Sequence, residues 1–277
     1  RRGFDLPQLT STADSLLRFI TKYEIPTAPS LGDLGQAVRE TISLLVGWRV
    51  VGFLEDRSEE ETFYYVAGEK KRELEYYKNS IIHYFIPHAY VAVSLLIGRE
   101  ELKTEEALLT DYGFLKNLFK NEFIYEEGET IQEEVGTATG YFLEASYLKR
   151  SDGGYVLTRQ GLVDLPIWAG LAKTFLEAYW VATRSFIQRE RNNGKKSDLL
   201  KNMNSLGHRL HELGLMDNLE AISHLNFKNA IQFINRDVLQ AKGKTGEDRS
   251  QALERLSQLS QRLYELSHYR MQAGGSS

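Results

Sequence analysis

The sequence predicts a mainly α-helical fold with two small β-hairpins. Apolar residues recur at helical spacing along most of the chain, and the 277 residues include only five prolines. Two short runs rich in β-branched and aromatic residues, 48–66 and 147–158, are each divided by a polar or glycine-rich turn, which is typical of hairpins. A hydrophobic content of 42% with 26% charged residues is ordinary for a globular protein.

The bulk composition excludes several classes of site and partner. The chain has no cysteine, so disulfides and thiolate metal sites are excluded. Its formal net charge of −4 gives no reason to expect nucleic acid as a partner. The chain starts Arg1-Arg2-Gly3 without a methionine and ends in glycines and serines. We therefore expect a fragment of a larger protein, with a tail or engineering remnant at 271–277.

The first elements that the sequence predicts are a capped helix and a β-hairpin. Ser30 is a favoured N-cap residue and predicts a helix that runs to Val46. Two β-rich runs follow, 48–54 and 62–66, and the polar residues 55–61 between them predict the turn of a hairpin.

The stretch 73–97 predicts a long central helix. It is strongly apolar after Lys78. Because the apolar residues occupy most of the helix circumference, we expect burial on nearly all sides. Pro87 should kink this helix or start a second one, because proline has no N–H to donate. A membrane span over 80–97 is a less favoured alternative, since two histidines and the proline interrupt the run.

The second half repeats this organisation. Thr104 and Thr130 are predicted to open helices, and Glu133 stands at the capping-box position after Thr130. A second hairpin at 147–158 should turn on Asp152-Gly153-Gly154. Three further helices are predicted near the C-terminus, over 197–213, 227–241 and 249–268.

A long aromatic helix is predicted from Leu162 to Ile187, interrupted near Pro166. Its aromatic residues cover more than one face, which indicates burial. They are also candidate interaction residues: Trp168, Phe175, Tyr179 and Trp180.

Helix, hairpin and long helix therefore occur twice, which is the outline of two winged-helix-like units packed around long aromatic helices. We predict three parts of one packed domain, followed by the tail. The parts are a first winged-helix-like unit (1–100), a second with the aromatic helix (101–190), and C-terminal helices (191–270).

A polar segment beside the apolar run is the main candidate site. Four residues with polar side-chain ends precede the run, and one histidine lies near its start. Their polar atoms need partners if they are buried. They form either a buried network that fixes helix packing or an interface with a second domain or an anionic ligand. The residues are Tyr76, Tyr77, Lys78, Asn79 and His83.

Three other motifs carry little function. The helix from Thr130 to Ser146 has no lysine or arginine, so it would repel DNA phosphates. Gly243-Lys244-Thr245 lacks the earlier glycine of a phosphate-binding loop. His208 and His211 have metal-ligand spacing, but no third ligand is suggested by spacing.

Four segments of the chain carry a resemblance to a known family. They are YYKNSIIH (Tyr76–His83), FLKNLFKNEFIY (Phe114–Tyr125), LAKTFLEAYW (Leu171–Trp180) and LGHRLHELGLMDNLEAISHLNFKNAI (Leu206–Ile231). Together they resemble the C-terminal region of PlsB-type, membrane-associated glycerol-3-phosphate acyltransferases. The similarity covers about 31–241 and rests on the order and spacing of the segments together.

The resemblance implies a non-catalytic domain. The family performs catalysis with a His-x4-Asp motif, in which the histidine is the general base. None of the six histidines here has an aspartate five positions on, so no catalytic residue is carried over. We therefore expect a domain that docks on the N-terminal catalytic domain of the same parent protein and supports or regulates it.

The resemblance also implies the reaction and the cellular location of the parent protein. The parent would acylate the sn-1 hydroxyl of glycerol-3-phosphate in phospholipid synthesis, with acyl-CoA or acyl-ACP as donor. This chain would be soluble by itself and need no cofactor, metal or nucleic acid. The parent would have peripheral contact with the cytoplasmic side of the inner membrane. A stand-alone tandem winged-helix scaffold and, less favoured, a DNA-binding regulator are the alternatives.

Overall fold

The computed structural model describes residues 3–54, 62–97, 102–125, 128–192, 198–239 and 249–269. Within these ranges lie ten α-helices and two three-stranded antiparallel sheets. The predicted mainly α fold with two small hairpins is therefore confirmed. The chain divides into two compact units, Arg1–Asn79 and Ser80–Ser277. The division into three parts that we predicted from the sequence stays a prediction.

The first unit is a small sheet with helices on one face. Its elements are β1 (Gly3–Phe4), α1 (Leu6–Lys22), α2 (Leu34–Gly47), β2 (Val51–Leu54), β3 (Phe63–Val66) and most of α3 (Lys71–Ile81). β3 lies in the centre of the sheet and pairs antiparallel with β1 and β2. One face of the sheet packs on α1 and α2 in a cluster around Ile42, Val51 and Tyr64.

Aspartates cap both helices of this sheet. The Asp5 carboxylate accepts a hydrogen bond from the Gln8 N–H at 2.7 Å, and Asp33 accepts one from the Gln36 N–H at 2.9 Å. The predicted cap at Ser30 is wrong, because Pro29–Gly32 form a 3-10 turn and α2 begins only after Asp33.

The second unit is a helical bundle with one small sheet at its side. A 3-10 turn (Ile82–Tyr84) leads into α4 (Ile86–Leu96), β4 (Lys103–Thr104), α5 (Glu105–Leu118), α6 (Ile131–Glu144), β5 (Leu148–Ser151), β6 (Gly154–Leu157), α7 (Arg159–Arg191), α8 (Leu199–Glu212), α9 (His224–Phe233) and α10 (Arg249–Ser267). The long helix α7 packs against α4, α8, α9 and α10.

Helix α4 is the buried helix that the apolar run predicts. Ten of its eleven residues are buried, so burial on nearly all sides is confirmed. Pro87 lies in its first turn, where no N–H donor is needed, and therefore starts a second helix after α3. Within the described ranges, no helix combines the length and apolar character that a membrane crossing requires.

The caps predicted for α5 and α6 are confirmed. The Thr104 hydroxyl accepts a hydrogen bond from the Ala107 N–H at 3.2 Å. The Thr130 hydroxyl accepts one from the Glu133 N–H at 3.3 Å, and the Glu133 carboxylate accepts one from the Thr130 N–H at 2.8 Å. This reciprocal pair is a capping box.

Helix α7 differs from its prediction, because it runs without interruption over 33 residues. It begins early, since the Thr158 hydroxyl accepts a hydrogen bond from the Gly161 N–H at 2.9 Å. Pro166 therefore lies inside the helix, and its missing N–H leaves only the Leu162 carbonyl without a helical donor.

The order strand, helix, helix, hairpin occurs twice along the chain. The strand order is β1-β3-β2 in the first sheet and β4-β6-β5 in the second. The sequence did not predict β1 and β4, because a strand of two residues is too short to show alternation. The winged-helix-like classification stays a prediction. Predictions on 55–61, 243–245 and 271–277 lie outside the described residues.

Candidate interaction residues and buried polar groups

The predicted polar segment at the end of α3 lies at the surface. Tyr76 is 77% exposed, and Tyr77 and Asn79 are also exposed. The Tyr76 and Tyr77 rings meet edge to face with centroids 5.7 Å apart, and Lys78 forms an ion pair with Glu75 at 2.7 Å. The interpretation of this segment as a buried network is therefore wrong. Its role as an interface stays a prediction.

His83 also differs from expectation, because it lies in the 3-10 turn and is exposed. Its ring packs on that of Tyr84 at 4.0 Å between centroids. The buried position on this stretch belongs instead to His88, whose ring lies edge-on to Tyr141 and Phe142. A histidine among aromatic rings on the inside of a bundle is a packing residue.

The aromatic residues of α7 form core and not surface. Trp168, Phe175, Tyr179 and Trp180 are all buried, so the predicted burial is confirmed and the suggestion that they are interaction residues is wrong. The physical reason is the position of α7, which is covered by α4, α8, α9 and α10.

A buried carboxylate that the sequence analysis missed joins three distant parts of the second unit. Asp111 on α5 accepts hydrogen bonds from the Ser94 hydroxyl at 2.5 Å and from the Lys103 ammonium at 2.8 Å. The Arg262 guanidinium on α10 donates to its other oxygen. Burial, and then the nearby Arg262 charge, lower the pKa of Lys103. Asp111 is thus a buried charge with the partners it requires.

A second buried carboxylate, Glu177 on α7, binds backbone. Its two oxygens accept hydrogen bonds from the Asp217 N–H at 2.9 Å and the Asn218 N–H at 3.0 Å. Burial raises the pKa of Glu177 to about 7, although these bonds and the charge of Lys173 act in the opposite direction. Lys173 forms an ion pair with Asp217 at 2.5 Å. These contacts fix the segment after α8 on α7.

Tyrosines and charged groups make a third polar cluster inside the bundle. The hydroxyls of Tyr90 and Tyr125 are hydrogen-bonded at 2.8 Å, and the Lys116 ammonium lies 2.6 Å from the Glu134 carboxylate. Burial raises the pKa of Tyr90, and burial followed by the Glu134 charge raises that of Tyr112. These phenols stay protonated at neutral pH, and the Tyr90–Tyr125 hydrogen bond joins α4 to the segment after α5.

Two histidines of the second unit bind backbone carbonyls. His211 donates from Nδ1 to the Met216 carbonyl at 3.0 Å, and His268 donates from Nε2 to the Leu215 carbonyl at 2.9 Å. Both imidazoles have structural partners. Among the described residues, no group of three or more histidine and acidic side chains is arranged to hold a metal ion.

Comparison with known proteins identifies a family and two curated relatives. Residues 1–242 match the family described as the glycerol-3-phosphate acyltransferase C-terminal region. The chain belongs to this family. The resemblance stated from the four sequence segments is thereby confirmed, and the chain is a domain related to glycerol-3-phosphate acyltransferases.

Two curated relatives align with part of this glycerol-3-phosphate acyltransferase C-terminal region. Dihydroxyacetone phosphate acyltransferase of Mus musculus is 27% identical over 169 residues, which are 60% of this chain and 24% of the relative. That of Homo sapiens is 25% identical over 156 residues, or 56% of this chain and 22% of the relative. The aligned part thus spans about a quarter of the length of either relative.

Proposed function

We propose that this chain is the non-catalytic C-terminal domain of a longer acyltransferase, where it docks on the catalytic domain and supports or regulates it. The observation that carries the proposal is a family match over residues 1–242 in a sequence without any His-x4-Asp. The parent reaction is acyl transfer to the sn-1 hydroxyl of glycerol-3-phosphate, with acyl-CoA or acyl-ACP as donor, in phospholipid synthesis.

Dihydroxyacetone phosphate is an alternative acyl acceptor for the parent reaction. The two relatives are named as dihydroxyacetone phosphate acyltransferases, whereas the family description names glycerol-3-phosphate. Both acceptors carry a phosphate and a primary hydroxyl, so one catalytic base serves either. We favour glycerol-3-phosphate, because the family match spans 1–242 and each relative aligns with under two thirds of the chain.

Two features support contact with a protein partner. The exposed tyrosines at the end of α3 are of the residue type enriched in protein interfaces. The repeated strand, helix, helix, hairpin order supports two winged-helix-like units. Helix α6 carries glutamates and no lysine or arginine, which favours protein contact over DNA. Peripheral membrane association, at the cytoplasmic side of the inner membrane, belongs to the parent in this proposal.

An acyl-transfer assay with labelled glycerol-3-phosphate tests the proposal. The 277-residue chain is assayed alone, the catalytic part of the parent alone, and the two together, with dihydroxyacetone phosphate as second acceptor. We expect no transfer by the chain alone and higher transfer by the mixture than by the catalytic part alone. Transfer by the chain alone, or a catalytic part that the chain neither binds nor affects, would refute the proposal and favour a separate scaffold.

A further inference from the structure

The two small sheets share one strand order but differ in composition. Strands β1, β2 and β3 read GF, VGFL and FYYV and contain no charged residue. Strands β4, β5 and β6 read KT, LKRS and GYVL and contain three cations, one threonine and one serine. An antiparallel sheet that packs on helices with one face ordinarily has a polar opposite face. The first sheet departs from that pattern and the second follows it.

Strand register assigns the residues of the first sheet to its two faces. Val51, Tyr64 and Val66 share the face that packs on α1 and α2. Because successive side chains alternate, the opposite face, called the outer face below, consists of Gly3, Gly52, Leu54, Phe63 and Tyr65. Leu54 is 63% exposed and its cross-strand partner Phe63 is 42% exposed.

Two glycines shape the outer face. A Cβ atom at Gly3 would collide with the Phe63 ring, and one at Gly52 would collide with the Tyr65 ring. Both aromatic rings therefore lie over the backbone of an edge strand. Glycine weakens a strand interior and often marks the close approach of another group. The sheet thus keeps two weak strand positions, which allow both rings to lie against the strand backbone.

We infer that the outer face is the surface through which this chain docks on the catalytic domain of its parent, an inference that rests on the function proposed above. Contiguous exposed apolar surface marks sites of protein or membrane contact. The sequence 55–61 that joins β2 to β3 contains five acidic residues and one arginine. That charge favours a partner whose apolar patch is bordered by lysine and arginine.

The same charge argues against the two other occupants. The surface of an anionic bilayer attracts basic segments and repels acidic ones. A second copy of this chain carries the same acidic sequence and the same formal net charge of −4, and like charges are unfavourable across an interface.

Paired variants of the full 277-residue chain test the inference. The sheet variant is Leu54→Thr with Phe63→Thr, which introduces a β-branched residue that is favoured in strands at both positions. The control is Val163→Thr with Leu225→Thr, two apolar side chains on α7 and α9 that are 67% and 65% exposed. Titration calorimetry against the catalytic part of the parent should give a Kd at least about tenfold higher for the sheet variant and unchanged for the control.

The outcomes separate this inference from the proposed function. Wild-type binding that the sheet variant retains would overturn the outer face and leave the docking function standing. No binding by the wild-type chain would overturn both. Loss of binding to vesicles of phosphatidylglycerol and phosphatidylethanolamine, or loss of self-association, by the sheet variant alone would assign the face to a membrane or to a second copy instead.

Hydrogen exchange on the wild-type chain gives a test that does not depend on the variants folding. On addition of the catalytic part, the amides of β2 and β3 should exchange more slowly, while those of β5 and β6 should not change. Slower exchange in β5 and β6 alone would place the interface on the polar sheet and refute the inference.

Discussion

Replacing Glu177 by glutamine tests whether burial raises the pKa of this carboxyl group. Burial raises the pKa of Glu177 from 4.5 to about 7, so the folded state holds a proton that the unfolded chain has already released. The carboxyl group therefore contributes stability below pH 4.5, and this contribution is lost as the pH rises towards 7. The neutral amide of glutamine cannot titrate and removes this pH dependence.

The magnitude follows from the size of the pKa change. Each unit corresponds to about 1.4 kcal/mol, so the full effect on the free energy of unfolding is about 3 kcal/mol. Urea unfolding at pH 5 and at pH 8 should therefore show a fall that is about 2–3 kcal/mol larger for wild type than for Glu177→Gln. The glutamine also loses one acceptor for the Asp217 or Asn218 N–H, which weakens the variant equally at both pH values.

Glu190→Gln, on the same helix and in an ion pair with Arg189, controls for the change from glutamate to glutamine itself. It should alter the free energy of unfolding by less than about 0.5 kcal/mol at pH 8. An identical pH dependence for wild type and Glu177→Gln would show that the pKa of Glu177 is not raised, and would refute the reasoning.

Four further substitutions have expected effects on the free energy of unfolding by urea. Gly161→Ala should destabilise by about 2 kcal/mol, because its Cβ would collide with the Tyr147 carbonyl. Gly170→Ala on the same helix meets nothing and should stabilise by about 0.5–1 kcal/mol; equal effects would contradict this. Asp111→Ala should lower the free energy of unfolding by about 3–5 kcal/mol, because two cations lose this buried carboxylate as a partner. Thr130→Ala should cost about 1 kcal/mol; no loss would exclude the capping box.

The sequence predicts the buried helices well, because apolar runs report burial directly. The stretch 80–97 has no lysine, arginine, aspartate or glutamate, and helix α4 lies inside the bundle as expected. Composition does not distinguish a core aromatic from an interface aromatic, however. Trp168 and Trp180 are therefore named both as buried residues and as candidate interaction residues, and the fold places both inside.

Sequence spacing could not find the contacts that join remote parts of the chain. Arg262 lies 151 residues from Asp111, and no local pattern connects them. The predicted start of α7 was wrong for a related reason. The proline rule favoured an interruption near Pro166, whereas Thr158 caps the helix about two turns before that proline. The outer face of the first sheet could only be recognised once the strand register was known.

The position of α10 has a consequence for where the limits of this kind of domain are drawn. The family match ends at residue 242, whereas α10 spans Arg249–Ser267 and packs along α7. Its buried leucines, Leu256, Leu263 and Leu266, complete the bundle, and Arg262 neutralises Asp111. A recombinant domain cut at the family limit would expose one side of α7 and leave Asp111 without its arginine. Expression boundaries for relatives should therefore be set after the equivalent of this last helix.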